Sequence, residues 1–171
     1  MKTKTAKIIK EKLGVSLFFS AQVKSERGSC DILHFHDSLK GVTFVTSGLA
    51  ILVGSEILMS CKEPEVSRCM DAISLLAHFS MEEFNHICRG LVVAQNDELP
   101  DIPGKSGFYL TDPIYFEALM SESGDAPFLW ALPIFRSEVD FINEKGFSVF
   151  EEVLNMNEGI DLLSIDRVAA L

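Results

Sequence analysis

The stretch that decides the fold is residues 127–154, which read PFLWALPIFRSEVDFINEKGFSVFEEVL. It opens with a dense apolar run over residues 128–132 that contains the only Trp of the chain. Because this run is short and rich in aromatic side chains, it predicts a buried strand. We expect Pro133 to end the strand, since proline has no N–H to donate to a neighbouring strand.

Two short helices are predicted after this strand. Ser137 is expected to begin the first, because its hydroxyl can accept from first-turn amides and Asp140 follows three residues later, as in a capping box. Gly146 is placed where helices commonly end in a left-handed residue. Ser148 and Glu151 repeat the capping pattern and predict the start of the second helix.

This order of elements resembles the C-terminal signature of the suppressor-of-fused (SUFU) domain: an apolar strand, Leu-Pro-Ile, Ser-Glu, a short helix, Gly and an acidic helix. Two further stretches agree in the expected order. Residues 45–50, VTSGLA, resemble the family's v-T-x-G-l-s segment, and residues 55–59, SEILM, resemble its x-E-l-x-m strand. The resemblance covers about residues 28–167. Ala50 departs from it, because a Ser is common there, so no hydrogen bond from that side chain is expected.

The resemblance implies both a fold and a role. The fold is α+β, with a mixed, largely antiparallel β-sheet and helices packed on it. The family's animal member is a regulator that holds a transcription-factor segment as an added strand. Bacterial members are commonly regarded as immunity proteins, which bind and neutralise a cognate toxin. The resemblance therefore implies a non-catalytic protein-binding domain that needs no cofactor.

The first third of the chain predicts strands. Residues 15–61 are expected to form an antiparallel meander, because short apolar segments alternate with polar turns. Within it, residues 50–53 and 56–59 are expected to form a compact hairpin-like unit.

Helices are predicted from Pro64 onward. Pro64 is a good first helical residue, and the apolar residues that follow it have helical spacing. Ser80 and Glu83 form a capping pair that predicts the start of another helix. Strands first, then helices mixed with strands, are typical of an α+β fold.

A single domain spanning residues 1–171 is expected, with a basic N-terminal helix at 1–14 and a core over about residues 15–167. No apolar run approaches the ~18 residues that a membrane span needs. Residues 1–13 are basic and lack the apolar core of a signal peptide. We therefore expect a cytoplasmic protein that does not act at a membrane.

The charge of the chain is negative and unevenly spread. The net charge is −10. Residues 1–13 carry five lysines and one glutamate, a charge of +4, and the remaining 158 residues carry 10 basic and 24 acidic groups, a charge of −14. An acidic body repels a phosphate backbone, so we expect no nucleic-acid partner. It favours another protein as the partner, a basic toxin domain among the candidates, although simple solubility explains the same charge.

A metal site is one alternative that the sequence leaves open. His34 and His36 alternate onto one face of a predicted strand and could both bind zinc. A third ligand would have to come from His78, His86 or a cysteine. Because no CxxC or HxxxH spacing is present, we expect two ordinary strand histidines and no metal.

A cysteine nucleophile is a second alternative. The four cysteines are widely spaced, which favours reduced and mostly buried thiols over disulfides. Cys30, Cys61 or Cys88 could meet a histidine in space. Cys88 is predicted near a helix C-terminus, where the helix dipole raises a thiol pKa and disfavours activation. No catalytic residue is therefore assigned.

The remaining hypothesis is protein binding through two acidic loops. Their exposed carboxylates are the predicted contact residues: Asp97, Glu98, Asp101, Glu122 and Asp125. Three functions follow in order of preference: an immunity protein, a regulatory module that accepts a peptide as an added strand, and a thiol- or metal-dependent enzyme. The sequence leaves the oligomeric state open.

Overall fold

The computed structural model describes residues 4–37, 41–95, 97–120, 127–157 and 159–171, and within these it has seven strands and five helices. The strands are β1 (Phe18–Ser25), β2 (Gly28–His36), β3 (Val42–Ser47), β4 (Glu56–Cys61), β5 (Val92–Ala94), β6 (Lys105–Thr111) and β7 (Phe128–Phe135). The helices are α1 (Lys4–Leu13), α2 (Ala50–Val53), α3 (Val66–Glu83), α4 (Arg136–Lys145) and α5 (Phe147–Met156).

All seven strands belong to one sheet, in the order β1-β2-β3-β4-β7-β6-β5. β1 to β4 pair antiparallel with their neighbours and form the predicted meander. β7 then pairs parallel to β4 and antiparallel to β6, which pairs with β5. The predicted α+β fold with a mixed, largely antiparallel sheet is therefore confirmed.

The sheet is covered on both faces. α3 packs over one face in the largest core cluster. On the opposite face, α1 covers a cluster around Trp130, and α4 and α5 cover a second cluster around Leu132. β7 lies in the middle, so its alternate residues are buried on opposite faces. This explains why residues 128–132 are continuously apolar rather than alternating.

Pro133 does not end β7, which continues to Phe135, and that prediction was wrong. The reason lies in the register of the sheet. β4 pairs with β7 only opposite residues 128–130, so beyond them β7 has a strand on one side alone. A proline is tolerated there, because its missing N–H is not needed by a second neighbour.

The capping of α4 also differs from the prediction. α4 begins at Arg136, and the side chain of Glu138 accepts a hydrogen bond from the N–H of Phe135 at 2.9 Å. Glu138 therefore takes the capping role expected of Ser137 and Asp140. The helix ends as predicted at Gly146, whose φ of 88° is in the left-handed region.

Two other predictions about secondary structure were wrong. Residues 50–53 form the helical turn α2 instead of a strand, closed by Gly54 at φ 86°. α3 does not restart at Ser80, because it continues unbroken to Glu83. Ser80 is instead fully buried against the core within that helix. Among the helices that the structure describes, none is both long enough and apolar enough to cross a bilayer.

Candidate functional site

Three of the predicted contact residues lie together on the loop between β5 and β6. Asp97, Glu98 and Asp101 are all exposed. Between them, Leu99 and Ile102 are buried in the main core cluster. The loop thus presents its carboxylates from a fixed backbone, which lowers the entropy cost of ordering the loop when a partner binds.

The loop is also closed by hydrogen bonds. The N–H of Leu99 donates to the carbonyl of Lys105 at 2.6 Å, and the carboxylate of Glu98 accepts from the N–H of Gly104 at 3.0 Å. Glu98 therefore has a structural role as well as a charge, whereas the side chain of Asp97 makes no hydrogen bond to any residue that the structure describes. The other two predicted residues, Glu122 and Asp125, lie outside the described residues.

The two strand histidines lie on the same face of β2, as predicted. Their ring centroids are 6.3 Å apart. The Nδ1 of His34 lies 2.6 Å from the hydroxyl of Ser20, and burial together with the charge of His36 lowers the pKa of His34. Within the described parts of the chain, no three His, Cys, Asp or Glu side chains are placed to hold a metal ion.

Three of the four cysteines are buried, and all four are free thiols. Burial raises the pKa of Cys30 to about 12, helped by the charges of Glu56 and Asp31. Burial also raises the pKa of Cys69. Both thiols therefore stay protonated near neutral pH, which makes them poor nucleophiles. Cys88 is exposed.

The two motif stretches at residues 45–50 and 55–59 meet around the carboxylate of Glu56, which is almost fully buried. It accepts hydrogen bonds from the hydroxyl of Thr46 at 2.7 Å, the N–H of Gly48 at 2.8 Å and the hydroxyl of Thr5 at 2.9 Å. Burial raises the pKa of Glu56, and these hydrogen bonds oppose the rise. The motif residues thus connect β3, β4 and α1 and are structural.

The Ser-Glu motif leads to a second buried network. The carboxylate of Glu138 forms two hydrogen bonds with the guanidinium of Arg167, at 2.8 and 2.6 Å, and both side chains are fully buried. Lys105 is also fully buried. Its Nζ donates to the carbonyl of Arg167 at 2.7 Å and lies 3.2 Å from the ring centroid of Phe135. Burial and the charge of Arg167 lower the pKa of Lys105 to about 8.

Sequence reasoning missed this network. Lys105 and Arg167 are 62 residues apart, and Arg167 and Glu138 are 29 residues apart. No local pattern predicts such contacts. The sequence offered one weak signal, which is that Arg167 is the single basic residue of the segment 159–171.

A third polar cluster surrounds Glu151 of α5. Its carboxylate accepts from the hydroxyls of Tyr109 at 2.7 Å and Thr111 at 2.8 Å, and it pairs with Arg89. Burial opposes ionisation of Glu151, but these hydrogen bonds outweigh it and lower its pKa. The Nη1 of Arg89 also lies 3.1 Å from the Oδ2 of Asp112. The sequence predicted only a helix cap for Glu151, so this cluster was missed as well.

The outer edges of the sheet are β1 and β5. β1 carries two largely exposed aromatic side chains, Phe18 at 51% and Phe19 at 63% exposure. Its register with β2 is interrupted between Phe19 and Ala21. An edge strand with exposed apolar side chains is a surface on which an extended peptide can pair.

Comparisons with known proteins agree with the sequence resemblance. The family model of the suppressor of fused protein (SUFU) matches residues 28–168. The fold is similar to the crystal structure of a SUFU homologue from Neisseria gonorrhoeae FA 1090, with a TM-score of 0.74 and 20% identity over 96% of this chain and 93% of that chain. No curated protein matches the chain.

Proposed function

The chain belongs to the suppressor of fused family, and from this membership we propose that it is a non-catalytic protein that binds one other protein. We propose further that it is an immunity protein, which neutralises a cognate toxin domain of basic charge. Residues 1–171 act in this proposal as one cytoplasmic domain without metal or cofactor.

The observation that carries this proposal is where the family's motif residues lie. Thr46, Glu56 and Glu138 are all buried and hold the scaffold together. These motif residues therefore maintain the fold that the chain shares with its family. In this proposal, exposed residues outside the motifs bind the partner. Beyond residue 13 that surface belongs to a body with a charge of −14. Such a body accelerates encounter with a cationic protein.

A growth assay tests this proposal directly. The protein encoded beside this gene is expressed alone and then with increasing amounts of this chain. We expect the neighbour to arrest growth, and we expect growth to return when the two proteins reach equal amounts, because neutralisation by binding is stoichiometric. Protection by far smaller amounts of this chain would indicate turnover and would contradict a binding mechanism.

A second function is favoured by the exposed edge strand β1. In it, the chain is a regulatory module that accepts a partner peptide as an additional strand beside Phe18 and Phe19. Backbone hydrogen bonds and apolar contacts would supply the affinity, so it would change little with salt. A salt titration of the complex separates this function from charge-assisted binding, whose affinity falls as salt rises.

A further inference from the structure

A cavity of about 120 Å³ opens on the sheet face that carries α4 and α5. It lies at the boundary between the two core clusters of that face, with Trp130 from one cluster and Leu132 and Leu154 from the other among its walls. A cavity of this volume is large enough to admit water or one slender side chain.

Exposed apolar side chains lie beside this cavity. Ile114 lines it directly and is 41% exposed. The ring of Tyr115 stands against the indole of Trp130 at 5.2 Å between centroids. The ring centroid of Phe147 lies 5.9 Å from the guanidinium carbon of Arg89, a residue of the cavity wall. Apolar and aromatic side chains around a concave opening are typical of a recognition site.

The charged groups in the cavity wall are negative in sum. Among the wall residues that the structure describes, Asp112 and Glu151 supply two carboxylates, and Arg89 supplies one guanidinium that pairs with both. Tyr109 and Thr111 donate to Glu151 and carry no charge. The wall therefore has a net charge of about −1, which favours a cationic occupant over an anionic one.

One of these carboxylates can be reached from solvent. Asp112 is 43% exposed and its partner Arg89 is 49% exposed, whereas Glu151 is only 17% exposed. A second cation can therefore approach Asp112 without breaking the hydrogen bonds that Glu151 receives from inside the protein.

We propose that this cavity accepts a lysine-type side chain from the protein partner. The methylene stem packs against the apolar wall formed by Trp130, Leu132 and Leu154. The ammonium group pairs with Asp112 and is attracted by the faces of the neighbouring aromatic rings. This inference rests on the proposed function, because the partner that brings the side chain is the basic protein of that proposal.

A titration without any partner tests the cavity. Trp130 is the only Trp of the chain, so its indole N–H gives a single resonance that reports on the cavity wall. The probe is N-acetyl-lysine methylamide, and the control is N-acetyl-norleucine methylamide, which lacks the ammonium group. We expect a saturable shift with the lysine probe and binding about tenfold weaker with norleucine, because the charge-assisted hydrogen bond is lost.

Two variants with opposite effects give the titration its control. Asp112→Asn should weaken lysine binding, whereas Arg89→Met should strengthen it, because removing the competing guanidinium leaves the wall more negative. Asp71→Asn, an exposed acid on α3 over the opposite sheet face, should change nothing. Opposite effects cannot arise from a general loss of structure.

Three results would overturn the inference: no shift of the Trp130 resonance, equal response to both probes, or variants at Asp112 and Arg89 that act in the same direction. The growth assay of the proposed function uses the neighbouring protein and the titration uses only a small probe. Either one can therefore fail while the other stands.

Discussion

Glu138 shows how a short motif acts at the scale of a single residue. Its two carboxylate oxygens receive four hydrogen bonds: two from Arg167, and one each from the backbone N–H of Phe135 and of Ala170. It therefore caps α4 and holds the end of the chain at once. Removing one partner of such a buried pair leaves the other charge uncompensated.

The pair formed by Glu138 and Arg167 gives the first prediction. Arg167→Met should lower the free energy of unfolding by about 3–5 kcal/mol, since it leaves Glu138 buried without its cation. The double variant with Glu138→Leu should be less destabilised than the two single losses added together, because neither member of the pair is then left buried without the other. Urea unfolding of the four proteins measures this coupling, and simple additivity would show that the two side chains do not depend on each other.

Lys105 gives a prediction about pH. Burial and the charge of Arg167 lower its folded-state pKa to about 8, whereas an unfolded lysine titrates near 10.4. Between these values the unfolded chain binds a proton that the folded protein does not, so stability should rise with pH.

The matched comparison for this effect is Lys105→Met, which keeps the length of the side chain. The stability of the wild-type protein relative to this variant should increase by about 2 kcal/mol from pH 7 to pH 10. Other titrating groups are common to both proteins and cancel in the difference. Urea unfolding at the two pH values provides the measurement, and a stability difference that does not change with pH would be inconsistent with a buried Lys105 of low pKa.

At the scale of elements, the sequence predicted types better than boundaries. The glycine that ends α4 was predicted because its conformation is a local property, visible in the residue type at Gly146. The path of β7 through Pro133 was not, because it depends on where β4 stops pairing, which is a property of the whole sheet. The Ser80–Glu83 pattern looked like a helix start only because the buried side of α3 cannot be seen in a local motif.

Ser80 gives a prediction for the interior of α3. Its hydroxyl is buried and has no hydrogen-bond partner among the described residues. Ser80→Ala should therefore raise the stability of the protein by about 1 kcal/mol, because it removes an unsatisfied polar group and improves helix propensity. Thermal unfolding of the variant tests this, and a clear loss of stability would mean that the hydroxyl has a partner after all.

At the scale of the whole molecule, the sequence could point to a site formed by one continuous segment but not to a site assembled from distant segments. The acidic loop was chosen for its length and charge, and Asp97 and Asp101 are exposed on it, while their contact with a partner stays a prediction. The cavity beside Trp130 was not predicted, because its wall combines residues from β6, β7, α5 and several segments outside these elements, from Arg89 to Leu162. Such a site exists only once distant segments have packed.

Reversing the charge of the loop tests whether it faces the partner. Asp97→Lys with Asp101→Lys should slow association by about tenfold at low salt, because charge steering acts mainly on the rate of encounter. Glu98 is left unchanged, since its carboxylate bonds to Gly104. The control variant, Asp71→Lys with Glu83→Lys, changes the net charge equally on the exposed side of α3. If both double variants slow association to the same extent, the loop has no special part in recognition.

The most direct test of the central claim is a calorimetric titration of this chain with the protein encoded beside its gene. The proposal of stoichiometric, charge-assisted binding predicts a single transition at one to one, with an affinity that falls clearly between about 50 mM and about 500 mM salt, as screening requires. No heat of binding at micromolar concentrations, or an affinity that is the same at both salt concentrations, would contradict it.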